Sequence, residues 1–305
     1  MVAAEVTRRT RARICSIIRL VTSAATTPGA FLKHALMGAI HNAKRLNTCM
    51  TRWLTSMGAA LMEEVGRLGR SGMFLCQTLL HSLTPPIKGE RVLRQTWFIG
   101  WKSMPVIALT GIFTGMVVAL QAFPTLRRVG SEAILGPLVS LSLIRELGPV
   151  LTALMVTGRA GSAIVAEIGI MRTSEQIDAL GLMGLNPLRY VVVPNVLASL
   201  LALPVLTVVF DVIGILGGYL IGVRLLGLSG GTYFGEMSTH VEMKDILGGI
   251  YKALAFGLLI GWVCCYKGYH SRFGAEGVSA ATTQAVVDTS VLILVCDYFV
   301  TAAVF

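Results

Sequence analysis

Ionisable side chains interrupt long apolar stretches of this sequence. Lys252 is the only charged residue between Ile246 and Tyr266, and Asp297 lies eight residues before the end of the chain. In a stretch that crosses a membrane, an ionisable group at membrane depth costs several kcal/mol and usually marks a transport pathway, an ion pair or a gate. The set comprises Arg145, Glu146, Arg159, Asp211, Lys252, Asp288 and Asp297.

Two pairs among these charges would neutralise each other if their helices meet: Arg145 with Glu146, and Lys252 with Asp297. Such pairs either only hold helices together or also serve a pathway, and the sequence favours neither interpretation. Asp288 is expected near the cytoplasmic interface, where it needs no partner.

A short amphipathic helix is predicted within Glu167–Leu188. Thr173 and Gln176 have the spacing of a capping box, which satisfies free amides at a helix start. Gly184 and Pro187 provide the stop. The apolar face holds Ile177, Leu180 and Gly184, and the polar face holds Glu175, Gln176 and Asp178. The helix would lie on the bilayer or dock a partner, and its acidic face favours docking because an anionic leaflet repels it.

The motifs of self-contained enzymes are missing. The dipeptide Gly-Lys never occurs, so no Walker A loop exists, and no HExxH is present. The five histidines are scattered, and the six cysteines form no CxxC pair. We therefore predict no catalytic residue, metal ligand or cofactor site in this chain.

The composition is typical of a polytopic membrane protein. Apolar residues make up 54% of the 305 residues, charged residues only 14%, and the mean hydropathy is +0.72. A soluble globular chain carries roughly 25% charged residues. These values exclude a disordered chain, and they exclude a nucleic-acid-binding protein despite the net charge of +10.

Five segments reach the roughly 20 apolar residues that a crossing helix needs. They are Ser103–Leu126, the part Leu147–Ala166 of the longer stretch Ala133–Ala166, Tyr190–Val223, Ile246–Tyr266 and Gly277–Phe305. Gly136–Pro137 and Gly148–Pro149 are expected to break the long second stretch. Three GxxxG pairs, beginning at Gly111, Gly218 and Gly257, indicate close helix packing within the chain rather than a specific dimer motif.

The predicted fold is all-α and integral to the membrane. An interfacial or re-entrant helix (Met73–Leu83) and an amphipathic elbow helix (Ile87–Lys102) precede the five transmembrane helices, and the short cytoplasmic helix joins the second and third. Residues 1–102 hold 15 of the 26 Lys and Arg but only 4 of the 16 acids. The positive-inside rule therefore places the N-terminus in the cytoplasm.

Residues 1–50 form a separate basic extension, and residues 60–305 form the membrane domain. Five arginines precede residue 20, and Glu5 is the only acid before Glu63. This pattern is found in organelle transit peptides, but a basic cytoplasmic tail or a start codon assigned too early explains it as well.

Several long motifs resemble the MlaE (YrbE) permease family. They are Arg145-Glu-Leu-Gly-Pro-Val-Leu-Thr-Ala-Leu, Gly158-Arg-Ala-Gly-Ser-Ala and Glu167-Ile-Gly-Ile-Met-Arg-Thr-Ser-Glu-Gln-Ile-Asp-Ala-Leu, followed by Asn186-Pro-Leu, Val192-Val-Pro and Ala281-Thr-Thr, and the match runs on to Asp297. The resemblance covers roughly residues 60–305, and residues 1–50 have no counterpart. The chloroplast lipid permeases of this family show the same motifs.

The resemblance implies an ABC transporter permease subunit for phospholipids, working as a homodimer. It implies two ATPase subunits that bind ATP and Mg, a periplasmic Mce-domain protein and, in some systems, a STAS-domain subunit. A coupling helix would comprise Arg172, Thr173, Glu175, Gln176, Asp178 and Leu180, and a polar cluster near the lipid pathway would comprise Arg145, Glu146, Lys252 and Asp297.

The expected location is the bacterial inner membrane, with the chloroplast inner envelope as the alternative. Two other functions stay open, a secondary ion-coupled transporter and a non-transporting membrane scaffold. A secondary transporter usually shows internal repeats, which we do not find in the sequence. A scaffold would not explain why so many ionisable groups lie at membrane depth.

Overall fold

The structure, a computed structural model, describes residues 69–82 and 89–304, together with the isolated positions 62 and 66. The chain divides into two compact units, Met1–Arg70 and Ser71–Phe305. The predicted basic extension, residues 1–50, lies outside the described residues. The elements of the second unit are helical, and none of its described residues is in a strand.

Eight helices follow one another in the described part of the second unit. They are α1 (residues 71–82), α2 (Gly89–Val129), α3 (Glu132–Thr173), α4 (Gln176–Leu182), α5 (Leu188–Leu225), α6 (Gly230–His240), α7 (Met243–Tyr269) and α8 (Ala275–Val304). Five of them, α2, α3, α5, α7 and α8, are long and apolar enough to cross a membrane. The prediction of an all-α membrane protein with five spans is therefore confirmed.

The start of the unit is helical where the sequence predicted short helices. Residues 71–82 are helical, which covers the predicted helix Met73–Leu83 as far as residue 82. This helix lies against the end of α7, because Trp262 Nε1 donates to the Ser71 carbonyl at 2.8 Å and Phe74 packs edge-on against Tyr266. Residues 89–102, predicted as an elbow, continue without a break into the first span.

Small residues allow the spans to approach closely. Gly115 of α2 lies against the backbone of Gly214 on α5, where no Cβ would fit. A Cβ on Gly257 of α7 would come within 2.8 Å of the Ser199 carbonyl oxygen on α5. These glycines belong to two of the three GxxxG pairs, so the packing predicted for them within the chain is confirmed.

The predicted breaks in the second stretch are wrong. α3 runs from Glu132 to Thr173 without interruption, but it widens into π-helical turns at Leu143–Leu147 and Thr157–Gly161. The first wide turn ends directly before Gly148 and Pro149. In a wide turn each N–H bonds to the carbonyl five residues back instead of four, so the missing N–H of a proline is accommodated. The helix therefore continues through this position instead of ending.

The helix α6, between the third and fourth spans, was not predicted. Its Tyr233 is buried against Gly136 of α3 and Gly218 of α5, and its hydroxyl lies 3.3 Å from the Ile215 carbonyl oxygen. Burial raises the pKa of Tyr233 to about 12, so the phenol stays protonated and donates this bond. Gly230–His240 contains few apolar residues, and one buried aromatic side chain, Tyr233, holds the helix in place.

Candidate functional site

Four of the seven intramembrane charges gather in the half of the bundle opposite α4; they are Arg145, Glu146, Lys252 and Asp297. α7 begins at that opposite end, and Lys252 lies nine residues after Met243, about 14 Å along the helix axis at 1.5 Å per residue. The Lys252 side chain is fully buried. We call the group around it the charge cluster; its members are Arg145, Glu146, Asp245, Lys252 and Asp297.

Lys252 holds three elements together. Its Nζ donates to Glu146 Oε2 on α3 at 2.8 Å and forms an ion pair with Asp297 Oδ1 on α8 at 3.2 Å. The pair predicted for Lys252 and Asp297 is thus present, and Glu146 joins it. Thr301, one helical turn beyond Asp297, lies 3.4 Å from Glu146 Oε1.

The third contact of Lys252 is the Arg145 carbonyl oxygen, 2.8 Å from Nζ. In a regular α-helix that oxygen would accept the N–H of residue 149, but residue 149 is a proline and has no N–H. The wide turn Leu143–Leu147 instead closes with a bond from the Gly148 N–H to the Leu143 carbonyl. The sequence Gly148-Pro149 therefore exposes the backbone acceptor that Lys252 uses.

The predicted pairing of Arg145 with Glu146 is wrong. Arg145 Nη2 and Nε lie 2.7 and 2.8 Å from Asp245 Oδ1 at the start of α7. Adjacent residues of a helix point in different directions, so Arg145 and Glu146 reach different partners. The cluster consequently contains three ion pairs, and the peptide of Arg145 joins the Arg145–Asp245 pair to the two pairs of Lys252.

Asp245 is the member of the cluster that the sequence analysis missed, because it lies one residue before the predicted fourth span. Its side chain is only 4% exposed. Its Oδ2 accepts the N–H of Glu242 at 3.1 Å, completing a capping box at the start of α7. The Glu242-x-x-Asp245 spacing is that of a capping box, and it was the sequence signal that could have identified Asp245.

The charge cluster can hold a polar group but has no nucleophile paired with a base. It contains two cations and three carboxylates, a net charge of −1. Its central cation is fully buried, whereas the side chains of Arg145 and Glu146 remain 43% and 44% exposed. The arrangement is therefore a fixed polar patch whose outer charges stay accessible.

The remaining intramembrane charges are not members of the cluster, although Asp211 lies beside Gly148 at the end of the wide turn Leu143–Leu147. Asp288 has a partner, contrary to expectation, because Lys267 lies 2.6 Å from its Oδ2. Arg159 donates to Ser103 Oγ at 2.9 Å. Asp211 Oδ1 is buried without a hydrogen-bond partner among the described residues, in a pocket of about 140 Å³ that Ile144 also lines.

At the other end of the bundle, the predicted capping box of α4 is wrong. Thr173 is still part of α3, and its hydroxyl donates to the Gly169 carbonyl at 3.0 Å. Glu175 precedes the first residue of α4 with a φ of 57° and makes no side-chain cap bond. The chain reverses through this left-handed residue, a conformation that costs a non-glycine residue about 1 kcal/mol or more.

The predicted polar face and stop of α4 are observed, but Gly184 of the predicted apolar face is exposed and lies beyond the end of the helix. Ile177 and Leu180 are buried, while Glu175, Gln176 and Asp178 are exposed. Gly184, with a φ of 74°, donates to the Gly181 carbonyl, and Leu185 donates to the Leu180 carbonyl. These two bonds form a Schellman motif.

An ion pair ties α4 to α3, with 3.0 Å between Arg172 Nη1 and Asp178 Oδ1. The short helix is therefore fixed at both ends. Among the residues that the structure describes, no group of three His, Cys, Asp or Glu side chains is placed to hold a metal ion.

Comparison with known sequences gives a family match over most of the chain. The model of the family described as "Permease MlaE" matches residues 92–303. A protein of Haemophilus influenzae named "Intermembrane phospholipid transport system permease protein MlaE" is 39% identical over 259 residues, which are 84% of this chain and 98% of that protein.

Two further relatives come from different cellular settings. A "Probable ABC transporter permease protein" of Rickettsia bellii is 41% identical over 82% of this chain and 96% of its own length. The "Protein TRIGALACTOSYLDIACYLGLYCEROL 1, chloroplastic" of Arabidopsis thaliana is 34% identical over 75% of this chain and 65% of its own length.

Proposed function

The chain belongs to the MlaE permease family, and we propose that it is the permease subunit of an ABC transporter for phospholipids. It would move phospholipid between the inner membrane and a periplasmic Mce-domain partner. The observation that carries this proposal is the similarity to the Haemophilus permease, whose name states phospholipid transport and which this chain matches over almost its whole length. ATP and Mg would bind to a separate ATPase subunit.

The charge cluster is proposed to serve the lipid pathway. A phospholipid headgroup carries a phosphate and needs polar partners at a depth where the surroundings are apolar. Arg145 and Glu146 offer one cation and one carboxylate that remain partly exposed, and Lys252 fixes the turn that carries both. Side chains that are already held in place lose little conformational freedom when they bind a headgroup.

The helix α4 is proposed to be the coupling helix on the cytoplasmic side. It is held by the Arg172–Asp178 ion pair and by the buried side chains of Ile177 and Leu180, so a force on α4 would be passed directly to α3. Thr173 belongs to the end of α3, where it supports the reversal. Glu175 and Gln176 are exposed and would contact the ATPase.

The homodimer and the location are also part of the proposal. α8 is the least buried of the five spans and exposes Val291, Leu294 and Tyr298 along one side, a face that suits a second copy or lipid. We propose the bacterial inner membrane with a cytoplasmic N-terminus; the chloroplast inner envelope is the alternative, supported by the chloroplastic relative. A STAS-domain subunit would complete some assemblies.

Reconstitution tests this function against its two rivals. The chain is purified with its ATPase and Mce-domain partners in proteoliposomes, and transfer of a fluorescent phospholipid to the Mce-domain protein is measured. We expect transfer that requires ATP and stops with vanadate. Transfer driven by an ion gradient without ATP would identify a secondary transporter. The absence of transfer under either condition would favour the non-transporting membrane scaffold.

The coupling assignment has its own test in Glu175. Glu175→Lys reverses an exposed charge and should weaken co-purification of the ATPase. Glu175→Gln, which removes the charge without reversing it, is the matched control and should have a smaller effect. Asp178 is a poorer test site, because its replacement also breaks the ion pair with Arg172. Normal co-purification and transfer by Glu175→Lys would show that α4 is not the coupling site.

A further inference from the structure

A second polar pocket lies at the α4 end of the bundle, between α2, α3 and α5. Its volume is about 190 Å³, and we call it the interfacial pocket. Its polar lining residues are Arg91, Arg94, Gln95, Glu167, Tyr190 and Asn195. None of them belongs to the charge cluster, which occupies the opposite half of the bundle.

Arg91 is fixed in the interfacial pocket but has no acidic partner there. Its guanidinium carbon lies 3.5 Å from the centroid of the Tyr190 ring, and its nitrogens donate to the Tyr190 hydroxyl and, at 3.4 Å, to the Tyr190 carbonyl. No described carboxylate lies within 4.0 Å of Arg91. A stacked, half-buried guanidinium of this kind has donors left for an anion, and its planar fork matches phosphate oxygens.

Arg94 adds a second cation one turn along α2. Its side chain is 77% exposed, and its partner is the equally exposed Glu90, one turn away at 3.1 Å. An exposed pair of this kind contributes little, so Arg94 can turn towards a ligand at small cost. Residues three apart on a helix share a face, and Arg91 and Arg94 therefore approach the same anion.

The opposite wall of the pocket carries acceptors. Asn195 Oδ1 is buried and has no hydrogen-bond donor among the described residues, while its Nδ2 donates to the Val191 carbonyl at 3.0 Å. Glu167 is exposed, and its described contact is a long bond of 3.4 Å from Gln95. A buried acceptor without a donor is costly to a fold, so this wall is suited to a ligand that donates hydrogen bonds.

We propose that the interfacial pocket binds the headgroup of a zwitterionic aminophospholipid. The phosphate lies between Arg91 and Arg94, and the ammonium group faces Glu167 and Asn195 Oδ1. The ligand supplies the anion and the hydrogen-bond donor that Arg91 and Asn195 Oδ1 lack among the described residues. This inference rests on the chain lying in a bilayer and not on transport, because a resident lipid would bind here whether or not the protein moves lipid.

Native mass spectrometry of the full chain in detergent tests the proposal without any ATPase. The probes are phosphatidylethanolamine and phosphatidylglycerol with identical acyl chains, together with inorganic phosphate and O-phosphoethanolamine as soluble arms. We expect one retained phosphatidylethanolamine per chain, in preference to phosphatidylglycerol. Both soluble probes should bind much more weakly, since they lack the acyl chains that add apolar contact.

Two variants separate the parts of the site. Arg94→Gln should weaken retention of both lipids about tenfold, because one charge-assisted contact to phosphate is lost. Glu167→Gln should remove the preference for phosphatidylethanolamine and leave phosphatidylglycerol binding unchanged. Arg127→Gln, which removes an exposed arginine from the other end of α2, is the matched control and should change neither.

Three results would overturn the proposal. They are equal lipid retention by Arg94→Gln and Arg127→Gln, an unchanged lipid preference in Glu167→Gln, and inorganic phosphate binding as tightly as the lipid. Tyr190→Phe adds a milder variant, since it keeps the ring under Arg91 and removes the hydroxyl acceptor. Because the assay contains no ATPase, failure of ATP-driven transfer would affect the proposed function alone.

Discussion

The charge cluster and the interfacial pocket use the same residue types in opposite ways. In the charge cluster, Lys252 is fully buried and its charge is met by two carboxylates and a backbone carbonyl. In the interfacial pocket, Arg91 stacks on the Tyr190 ring, and no described carboxylate lies within 4.0 Å of its guanidinium group. The buried cation at one end of the bundle is paired within the chain, whereas Arg91 at the other end has no carboxylate partner among the described residues.

The difference separates charges that stabilise the fold from charges that are kept for binding. Removing a partner from a buried pair leaves an uncompensated charge in a medium that cannot solvate it. Removing an exposed charge costs the fold almost nothing, because water replaces the lost contact. Single substitutions that break a pair of Lys252 should therefore cost stability, whereas substitutions of Arg94 should cost lipid binding and leave stability almost unchanged.

The largest effect is expected for Lys252→Met. It leaves Glu146 and Asp297 facing each other without a cation, and breaking a buried ion pair typically costs about 3–5 kcal/mol. Asp297→Asn should cost less, since Glu146 still neutralises the lysine. Thermal unfolding in detergent micelles measures both. A Lys252→Met protein that unfolds no earlier than Asp297→Asn would contradict the central position of Lys252.

A smaller loss is expected for Asp245→Asn. The variant keeps a side-chain oxygen for the cap of α7 but weakens the charge-assisted bonds from Arg145, worth about 2 kcal/mol. Asp288→Asn is the matched control, because the pair of Asp288 with Lys267 is more exposed and should contribute less than about 1 kcal/mol. Equal losses in the two proteins, measured by the same unfolding assay, would remove Asp245 from the cluster.

At the α4 end, Glu175→Gly should stabilise the protein by about 1 kcal/mol. Glycine adopts the left-handed backbone of this position without strain, and the glutamate side chain makes no cap bond there. Gln176→Gly, at the first residue of α4, is the control and should destabilise by about 1 kcal/mol through lost helix propensity. Denaturant unfolding distinguishes the two signs, and destabilisation by both changes would show that Glu175 makes a needed contact.

The smallest effect on stability is expected for Arg94→Gln. The Arg94–Glu90 pair is exposed, so its loss should change the unfolding free energy by less than about 0.5 kcal/mol. The same variant should lose lipid retention, whereas Lys252→Met should mainly lose stability. A large loss of stability in Arg94→Gln would mean that the two ends of the bundle do not differ in the way described.

The sequence predicted those features that depend on composition and period. The five spans follow from apolar length, and the buried side of α4 follows from the spacing of Ile177 and Leu180. Gly184 ends α4 as its type predicts. Each of these features is determined by residues that are close together in the sequence, so it can be predicted from the sequence alone.

The errors occurred where a distant element decides. The partner of Arg145 is Asp245, one hundred residues away, and the adjacent Glu146 turns to α7 as well. Thr173 has the right spacing for a cap but stays inside α3, because the chain turns two residues later at Glu175. The bond from Lys252 to the Arg145 carbonyl needs both Pro149 and the approach of α7. The position of α7 cannot be read from residue spacing within α3.

One measurement tests directly whether the charge cluster serves the lipid pathway. The triple variant Glu146→Gln, Lys252→Met, Asp297→Asn replaces all three charges around Lys252 with neutral groups of similar size. Such a replacement is often close to neutral for stability. The account predicts that this protein unfolds near the wild-type temperature while its ATP-dependent phospholipid transfer falls at least about tenfold, equivalent to 1.4 kcal/mol or more. Wild-type transfer by a stable triple variant would show that the cluster only holds the helices together.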